Sequence, residues 1–308
     1  MVSVADAVSL AIYLFTFLLG LPANLLVLFV YLRKANKRGA TPSVVYALNM
    51  CLANLALVAW MPIKILETAV HWVLPSAVCP IYSFFFFASL YGSCLFITAV
   101  TIGRYLSIAF PISYKMYRRA RLSCGVSATL WALVILHLGL ALAAEQGQHF
   151  VALAEGNFSL CYEKFTDEQH AVLLPLRLEM ALTLFLVPLG LTAFCTLRCV
   201  ALVGRSFLPP GSKRRVLAVA LSTLGVFVVC YMPYNVSHVV GFVLRTTVTW
   251  RQKAMLSSSC NVFLEPVVML LLSPAVPQGF CGRICGTCGL QRRGTCQSSL
   301  TKEQPGKT

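Results

Sequence analysis

Six stretches of this chain carry no Asp, Glu, Lys or Arg: residues 7–32, 39–63, 68–103, 122–144, 180–197 and 216–244. A seventh, 254–282, is interrupted by a single charge, Glu265. Each reaches the roughly 18 residues that a helix needs to cross a bilayer. A helix at the surface of a soluble core would carry charge on its outward face every turn, and these do not. The pattern predicts an all-α membrane protein, a seven-transmembrane helix bundle. Pro22, Pro62, Pro188, Pro233 and Pro266 fall inside the stretches, which membrane helices tolerate where neighbours satisfy the freed backbone.

Composition agrees with that reading. The 308 residues are 58% hydrophobic and 11% charged, so nearly the whole chain is spent in the spans. One seven-helix membrane domain is expected over 1–280, followed by a largely disordered, Cys-containing tail over 281–308. The net charge of +15 would suggest nucleic acid in a soluble protein, but its placement argues otherwise. Only Lys64, Lys164, Arg177, Arg245, Arg251 and Lys253 fall in outer halves or outer loops, and of the ten acids only Glu303 falls in an inner loop or tail. That bias puts the N-terminus outside and the C-terminus in the cytoplasm. The inner charge is suited to anionic membrane lipid, and nucleic acid is not implied. Fewer than ten residues precede the first span, which is expected to act as its own insertion signal. A ligand is then recognised within the bundle and its loops, which favours a small one.

Of the 13 cysteines, seven lie inside spans and read as reduced apolar residues. Cys79 and Cys161 both face the oxidising side and form the obvious disulfide pair, pinning the loop between spans four and five over the mouth of the bundle. In that loop Asn157-Phe158-Ser159 is a glycosylation acceptor, whereas Asn235-Val236-Ser237 matches within span six and is discarded. Cys281, Cys285, Cys288 and Cys296 cluster after span seven. Their spacing could hold zinc, but no His joins them; at a membrane surface, palmitoylation of one or more is the favoured reading.

Two intramembrane arginines stand out. An Arg at a helix centre costs roughly 2.5–3.5 kcal/mol and marks function by default. Arg177 and Arg251 lie in the outer thirds of spans five and seven, and two guanidiniums facing one cavity call for an anion, best a carboxylate. The plainer alternatives are that Arg251 snorkels to the headgroups and that Glu179 neutralises Arg177. Phe84-Phe85-Phe86-Phe87 must point all ways round its helix, so only part of that run can line a pocket. No metal-ligand set, nucleophile triad or broken-helix repeat appears, and neither an enzyme, a cofactor nor a transporter is expected.

Asn24, Arg104, Trp131, Pro188, Pro233 and Pro266, in this order, resemble the landmarks of rhodopsin-like G-protein-coupled receptors over practically the whole chain. The strings Thr41-Pro42-Ser43-Val44-Val45-Tyr46-Ala47-Leu48-Asn49, Gly103-Arg104-Tyr105 and His137-Leu138-Gly139-Leu140 resemble the medium- and long-chain free fatty acid receptor. Cys161-Tyr162-Glu163-Lys164-Phe165, Leu174-Pro175-Leu176-Arg177-Leu178-Glu179 and Pro233-Tyr234-Asn235-Val236-Ser237-His238 resemble its short-chain relatives. The chain therefore looks like a free fatty acid receptor that mixes features of both branches.

The resemblance implies that Arg177 and Arg251 hold the ligand carboxylate, with His137 and His238 beside them and the hydroxyls of Tyr91 and Tyr234 completing its hydrogen bonds. Glu145 and Glu163 match acids that pair with the arginines before ligand enters, and the apolar tail is expected near Phe84, Phe87, Leu138 and Leu142. Arg104, with Tyr105, becomes the G-protein contact and inactive-state latch. The implied setting is the plasma membrane, with a heterotrimeric G protein, arrestin, membrane lipid and a homo- or heterodimeric partner. Departures from the pattern are Gly103 before Arg104, Asn54 in place of the usual span-two acid, Glu265 where Asn or Asp is usual, and Thr196 and Met269 in place of two switch tyrosines. Two functions follow: a G-protein-coupled receptor for free fatty acids, or a fatty-acid-binding protein of the same fold with weak or no G-protein output, acting as decoy or heteromer partner.

Overall fold

The computed structural model describes residues 4–70, 74–75, 77–117, 119–144, 150–152, 159–161 and 167–272. Glu145, Asn157, Glu163, Cys281, Cys285 and Cys288, with the expectations attached to them, lie outside the described residues. Ten α-helices follow in chain order: α1 (Val4–Arg38), α2 (Pro42–Val70), α3 (Val78–Ala109), α4 (Pro111–Tyr117), α5 (Ala120–Ala144), α6 (Asp167–Ala181), α7 (Val187–Arg205), α8 (Pro210–Leu244), α9 (Arg251–Ser259) and α10 (Asn261–Leu272). A π-helical turn, Leu182–Leu186, joins α6 to α7 without a break. Among the described residues six segments are long and apolar enough to cross a membrane, α6 and α7 counting as one.

The helices outrun the charge-free stretches. The first continues through Arg33, Lys34 and Lys37, because i→i−4 bonding persists after the chain leaves hydrocarbon. Residues 68–70 end α2 instead of opening span three, which starts beyond Pro75 with the Val78 N–H on the Pro75 carbonyl at 3.0 Å. The fifth segment begins at Asp167, ahead of its charge-free stretch, and holds Arg177, as expected, together with Glu179. The seventh is broken at Cys260, whose N–H bonds Ser257 O at 3.2 Å. Serine hydroxyls crowd this break: Ser258 Oγ donates to Cys230 O of α8 at 2.9 Å, and Ser259 Oγ donates to Met255 O at 3.1 Å. Such side chains compete with the helix ladder and loosen it locally.

The third helix is the centre. Residues 88–98 are buried without interruption, as befits a helix with neighbours on all sides, and α2, α5, α7 and α8 pack around it. On α5, by contrast, Leu133, Ile135, Leu136 and Leu140 are exposed, which is the surface a bilayer solvates. Trp131 on that helix donates from Nε1 to Asn49 Oδ1 of α2 at 2.9 Å.

Pro266 has no N–H to give the Val262 carbonyl four residues earlier. Asn24 supplies the missing donor, its Nδ2 lying 2.7 Å from Val262 O and 2.8 Å from Gly20 O. Gly20 permits that approach: a Cβ there would lie 2.7 Å from Val262 Cγ1. One Asn and one Gly thus lock α1 onto α10.

The middle of the bundle holds a buried polar network. Glu265 accepts from the Tyr231 hydroxyl and, at 3.0 Å, from Asn54 Nδ2. Ser93 Oγ donates to Asn54 Oδ1 at 3.2 Å, and Asn261 Nδ2 donates to Tyr231 Oη at 2.8 Å. The carboxylate of span seven and the amide of span two face each other directly.

Among the described residues the only β structure is a short antiparallel hairpin, β1 (Phe150–Ala152) and β2 (Ser159–Cys161), with Cys161 opposite Phe150. Disulfide bonding of Cys161 to Cys79 ties it to the first turn of α3, as the sequence predicts.

Candidate ligand site

At the Cys79 end of the bundle, side chains from α3, α5, α6, α8 and α9 enclose a cavity of about 40 Å³. Its apolar wall is Phe84, Phe87, Leu138, Ala141, Leu142, Leu173, Leu176 and Met180. Five polar side chains complete it: Tyr91, Arg177, Tyr234, His238 and Arg251. All five come from different turns of α3, α6, α8 and α9, so the site exists only once those helices pack.

Arg177 shares a face of α6 with Leu173, Leu176 and Met180, the one-, three- and four-residue spacing of a single helical stripe. Its Nη1 lies 3.5 Å from Thr247 Oγ1, in the loop between α8 and α9, and His170 Nε2 lies 3.1 Å from the same hydroxyl. Arg251 opens α9 and is 3% exposed, so it does not reach out to a headgroup layer. Its guanidinium stands 6.0 Å from the centre of the Tyr234 ring. That ring stacks on Phe87 at 5.8 Å and meets His238 edge-on at 4.5 Å. Two guanidiniums, two phenols and one imidazole therefore surround one apolar hollow. The arrangement suits a monoanion with a small hydrocarbon body: a carboxylate takes paired donors from Arg, and the tail replaces water against Phe and Leu.

His137 is placed differently from His238. Its Nδ1 lies 2.7 Å from Leu133 O and its Nε2 lies 3.1 Å from Glu179 Oε1, between α5 and α6, and it is not among the residues lining the cavity. Thr183 Oγ1 donates to the same Glu179 oxygen at 2.9 Å. Thr247, Leu173, Leu176 and Met180 were not expected from sequence. The signal available for the three on α6 was their spacing of four, one and three residues about Arg177.

At the other end a cavity of about 670 Å³ is lined by Tyr31, Lys34, Arg104, Tyr114, Arg215 and Met269 among others. Arg104 Nη1 is buried there without a hydrogen-bond partner among the described residues. Tyr105 packs edge-on against Phe110 at 6.2 Å and Phe194 at 6.0 Å. Thr196 is fully buried.

Residues 23–270 match the family model of the 7 transmembrane receptor (rhodopsin family). Free fatty acid receptor 3 of Homo sapiens is 38% identical over 302 residues, covering 96% of this chain and 86% of the relative. Free fatty acid receptor 2 of Homo sapiens is 35% identical over 303 residues, at 96% and 92% coverage. Free fatty acid receptor 1 of Mus musculus is 34% identical over 301 residues, at 94% and 97% coverage. The landmarks on six of the seven spans, the disulfide and these matches agree, and the chain belongs to the rhodopsin family of seven-transmembrane receptors, in its free fatty acid receptor group.

Proposed function

We propose that this chain is a multi-pass plasma-membrane receptor for free fatty acids of short chain, signalling through heterotrimeric G proteins. The observation that carries the reading is the meeting of Arg177 and Arg251, both buried, on one small apolar cavity. A carboxylate held between them takes further hydrogen bonds from the Tyr91 and Tyr234 hydroxyls and from His238, while the alkyl chain lies against Phe87 and Leu138. Size argues for a short chain. One water-sized group needs about 10–15 Å³, so a cavity of about 40 Å³ takes only about three or four such groups, which suits a carboxylate on a short chain.

Binding acts by population shift. A ligand carboxylate replaces the lid acids Glu145 and Glu163 at the arginines and favours the bundle arrangement that grips it. Arg104 and Tyr105 meet the G protein at the opposite, cytoplasmic end, with the N-terminus outside. Arrestin and a homo- or heterodimeric partner use the same inner face and the flanks of the bundle. Glycan on Asn157 and palmitate on Cys281, Cys285 or Cys288 complete the membrane placement.

G-protein dissociation in cells given acetate, propionate, butyrate, hexanoate, decanoate and palmitate tests the reading. Propionate and butyrate are expected to be most potent, with decanoate and palmitate far weaker. A response confined to decanoate and palmitate would overturn the short-chain assignment, and silence to all would overturn the receptor.

A further inference from the structure

Thr247 lies in the loop between α8 and α9, four residues before Arg251, and its hydroxyl meets two side chains of α6. Arg177 Nη1 lies 3.5 Å from Thr247 Oγ1, and His170 Nε2 lies 3.1 Å from the same atom. His170 and Arg177 are seven residues apart and so share one face of α6. The loop is brought there by the way α8 ends. Arg245 takes the left-handed conformation at φ 53°, its N–H bonds Phe242 O at 3.3 Å, and the Thr246 N–H bonds Gly241 O at 3.0 Å. These paired bonds close a helix by turning the chain back on itself. Gly241 is needed for the turn: a Cβ there would lie 2.8 Å from the Thr246 carbonyl oxygen, which is backbone and cannot swing aside. Val248 is buried directly after Thr247, and its carbonyl accepts from the Arg251 N–H at 3.2 Å as α9 begins. One short loop thus touches the first anchor through Thr247 and leads straight into the second.

We propose that Thr247 is a positioning residue for the ligand anchor: its hydroxyl, braced by His170, holds the guanidinium of Arg177 at the spacing from Arg251 that a carboxylate requires. The role rests on the fatty-acid reading of the cavity. Arg177 can only donate, so the Thr247 oxygen accepts from it, and the hydroxyl proton is left for Nε2 of a neutral His170. A hydroxyl that donates is a better acceptor, which strengthens the contact to Arg177. An Arg side chain is long and rotatable, and a ligand that meets it already in place loses less on binding. The brace and the second anchor follow each other in one loop, so the spacing of the two guanidiniums is set locally and not through the length of α8.

Propionate dose–response curves in cells matched for surface receptor test the role. Thr247→Val keeps the shape and removes the oxygen, and should weaken potency about three- to tenfold, the worth of one hydrogen bond. Thr247→Ser keeps the oxygen and should stay within about twofold of the native chain. A threonine that only packed would show the reverse order. His170→Leu should lose part of what Thr247→Val loses. In Arg177→Lys, whose ammonium offers no Nη1, adding Thr247→Val should cost little more. If Thr247→Val does not reach the surface, Thr247→Ala set against Thr247→Ser carries the test. A Thr247→Val curve matching the native chain, a Ser variant as weak as the Val variant, or losses that add fully in Thr247→Val/Arg177→Lys would overturn the proposal. If Arg177→Lys itself responds like the native chain, the carboxylate site falls and the role with it. Lost potency in Arg177→Lys beside an unaltered Thr247→Val removes the positioning role alone.

Discussion

The side-chain amide of Asn54 donates to the Glu265 carboxylate over 3.0 Å, tying α2 to α10 in the middle of the bundle. Where related receptors place an acid on the second span, this chain places the amide, and the acid has crossed to the seventh. Each carboxylate oxygen already has a donor, one from Asn54 and one from Tyr231. A sodium ion would have to displace both. Ligand affinity is therefore expected to be the same in sodium and in choline chloride at constant ionic strength, and a clear sodium effect would mean that the carboxylate releases its donors.

The same pair predicts a rescue. Asn54→Asp alone sets two carboxylates against each other and should lower the unfolding midpoint, as should Glu265→Asn, which removes a charged acceptor worth about 1.5–3 kcal/mol. The combination Asn54→Asp/Glu265→Asn restores one acid facing one amide and should recover much of the loss. Strict additivity of the two effects in a double-mutant cycle would deny the contact any energetic weight.

Arg177→Ala or Arg251→Ala should lower fatty-acid potency by about a hundredfold or more, since one partner of a desolvated ion pair is lost. Surface expression should persist. Arg→Lys at either position should recover only part of the response, because an ammonium cannot offer the planar fork. Dose–response curves in cells matched for surface receptor check both statements.

The two histidines should behave differently. His238 borders the cavity beside Tyr234, and His238→Ala should cost about tenfold in potency through a lost charge-assisted hydrogen bond. His137 instead meets Glu179 at a partly exposed surface, where such pairs contribute about 0–1 kcal/mol. His137→Ala should leave potency almost unchanged. Equal losses from both variants would return His137 to the ligand site.

Gly20 and Val262 offer a steric test. Gly20→Ala puts a methyl group against Val262 Cγ1 and should cost about 1–3 kcal/mol by overpacking. Val262→Ala removes the obstructing methyls, so Gly20→Ala/Val262→Ala should be more stable than Gly20→Ala alone. Unfolding midpoints in one detergent decide it.

Much of this was readable in the sequence because charge is rare in it. Arg177 and His238 announce themselves as ionisable groups within apolar stretches, whereas Arg251, beside Gln252 and Lys253, is told from a headgroup-facing residue only by its burial. The start of α6 was hidden for the opposite reason. Asp167-Glu168-Gln169-His170 resembles a polar loop, and nothing local says that it is already the first turn of a helix. The direction of His137 was equally hidden, since a residue near the rim of α5 faces cavity or neighbour according to how α6 is rotated. The break at Cys260 depends on hydroxyls of Ser257 and Ser258 finding the Cys230 carbonyl, a contact between helices that a linear pattern cannot express.

The π turn at Leu182–Leu186 makes the aim of the anchor a matter of counting. It absorbs one residue beyond the α-helical number and so turns what lies on either side by about 100° relative to a regular helix. Before the turn Arg177 faces the cavity; after it Thr192 faces α3, its hydroxyl 3.0 Å from that of Thr98. Both orientations hold together only with the extra residue in place. Deleting Thr183 or Leu184 would restore an even helix and force a choice between the Thr98 contact and the guanidinium's position. A receptor could thus lose its ligand with every side chain that touches the ligand intact, and no substitution would give it back.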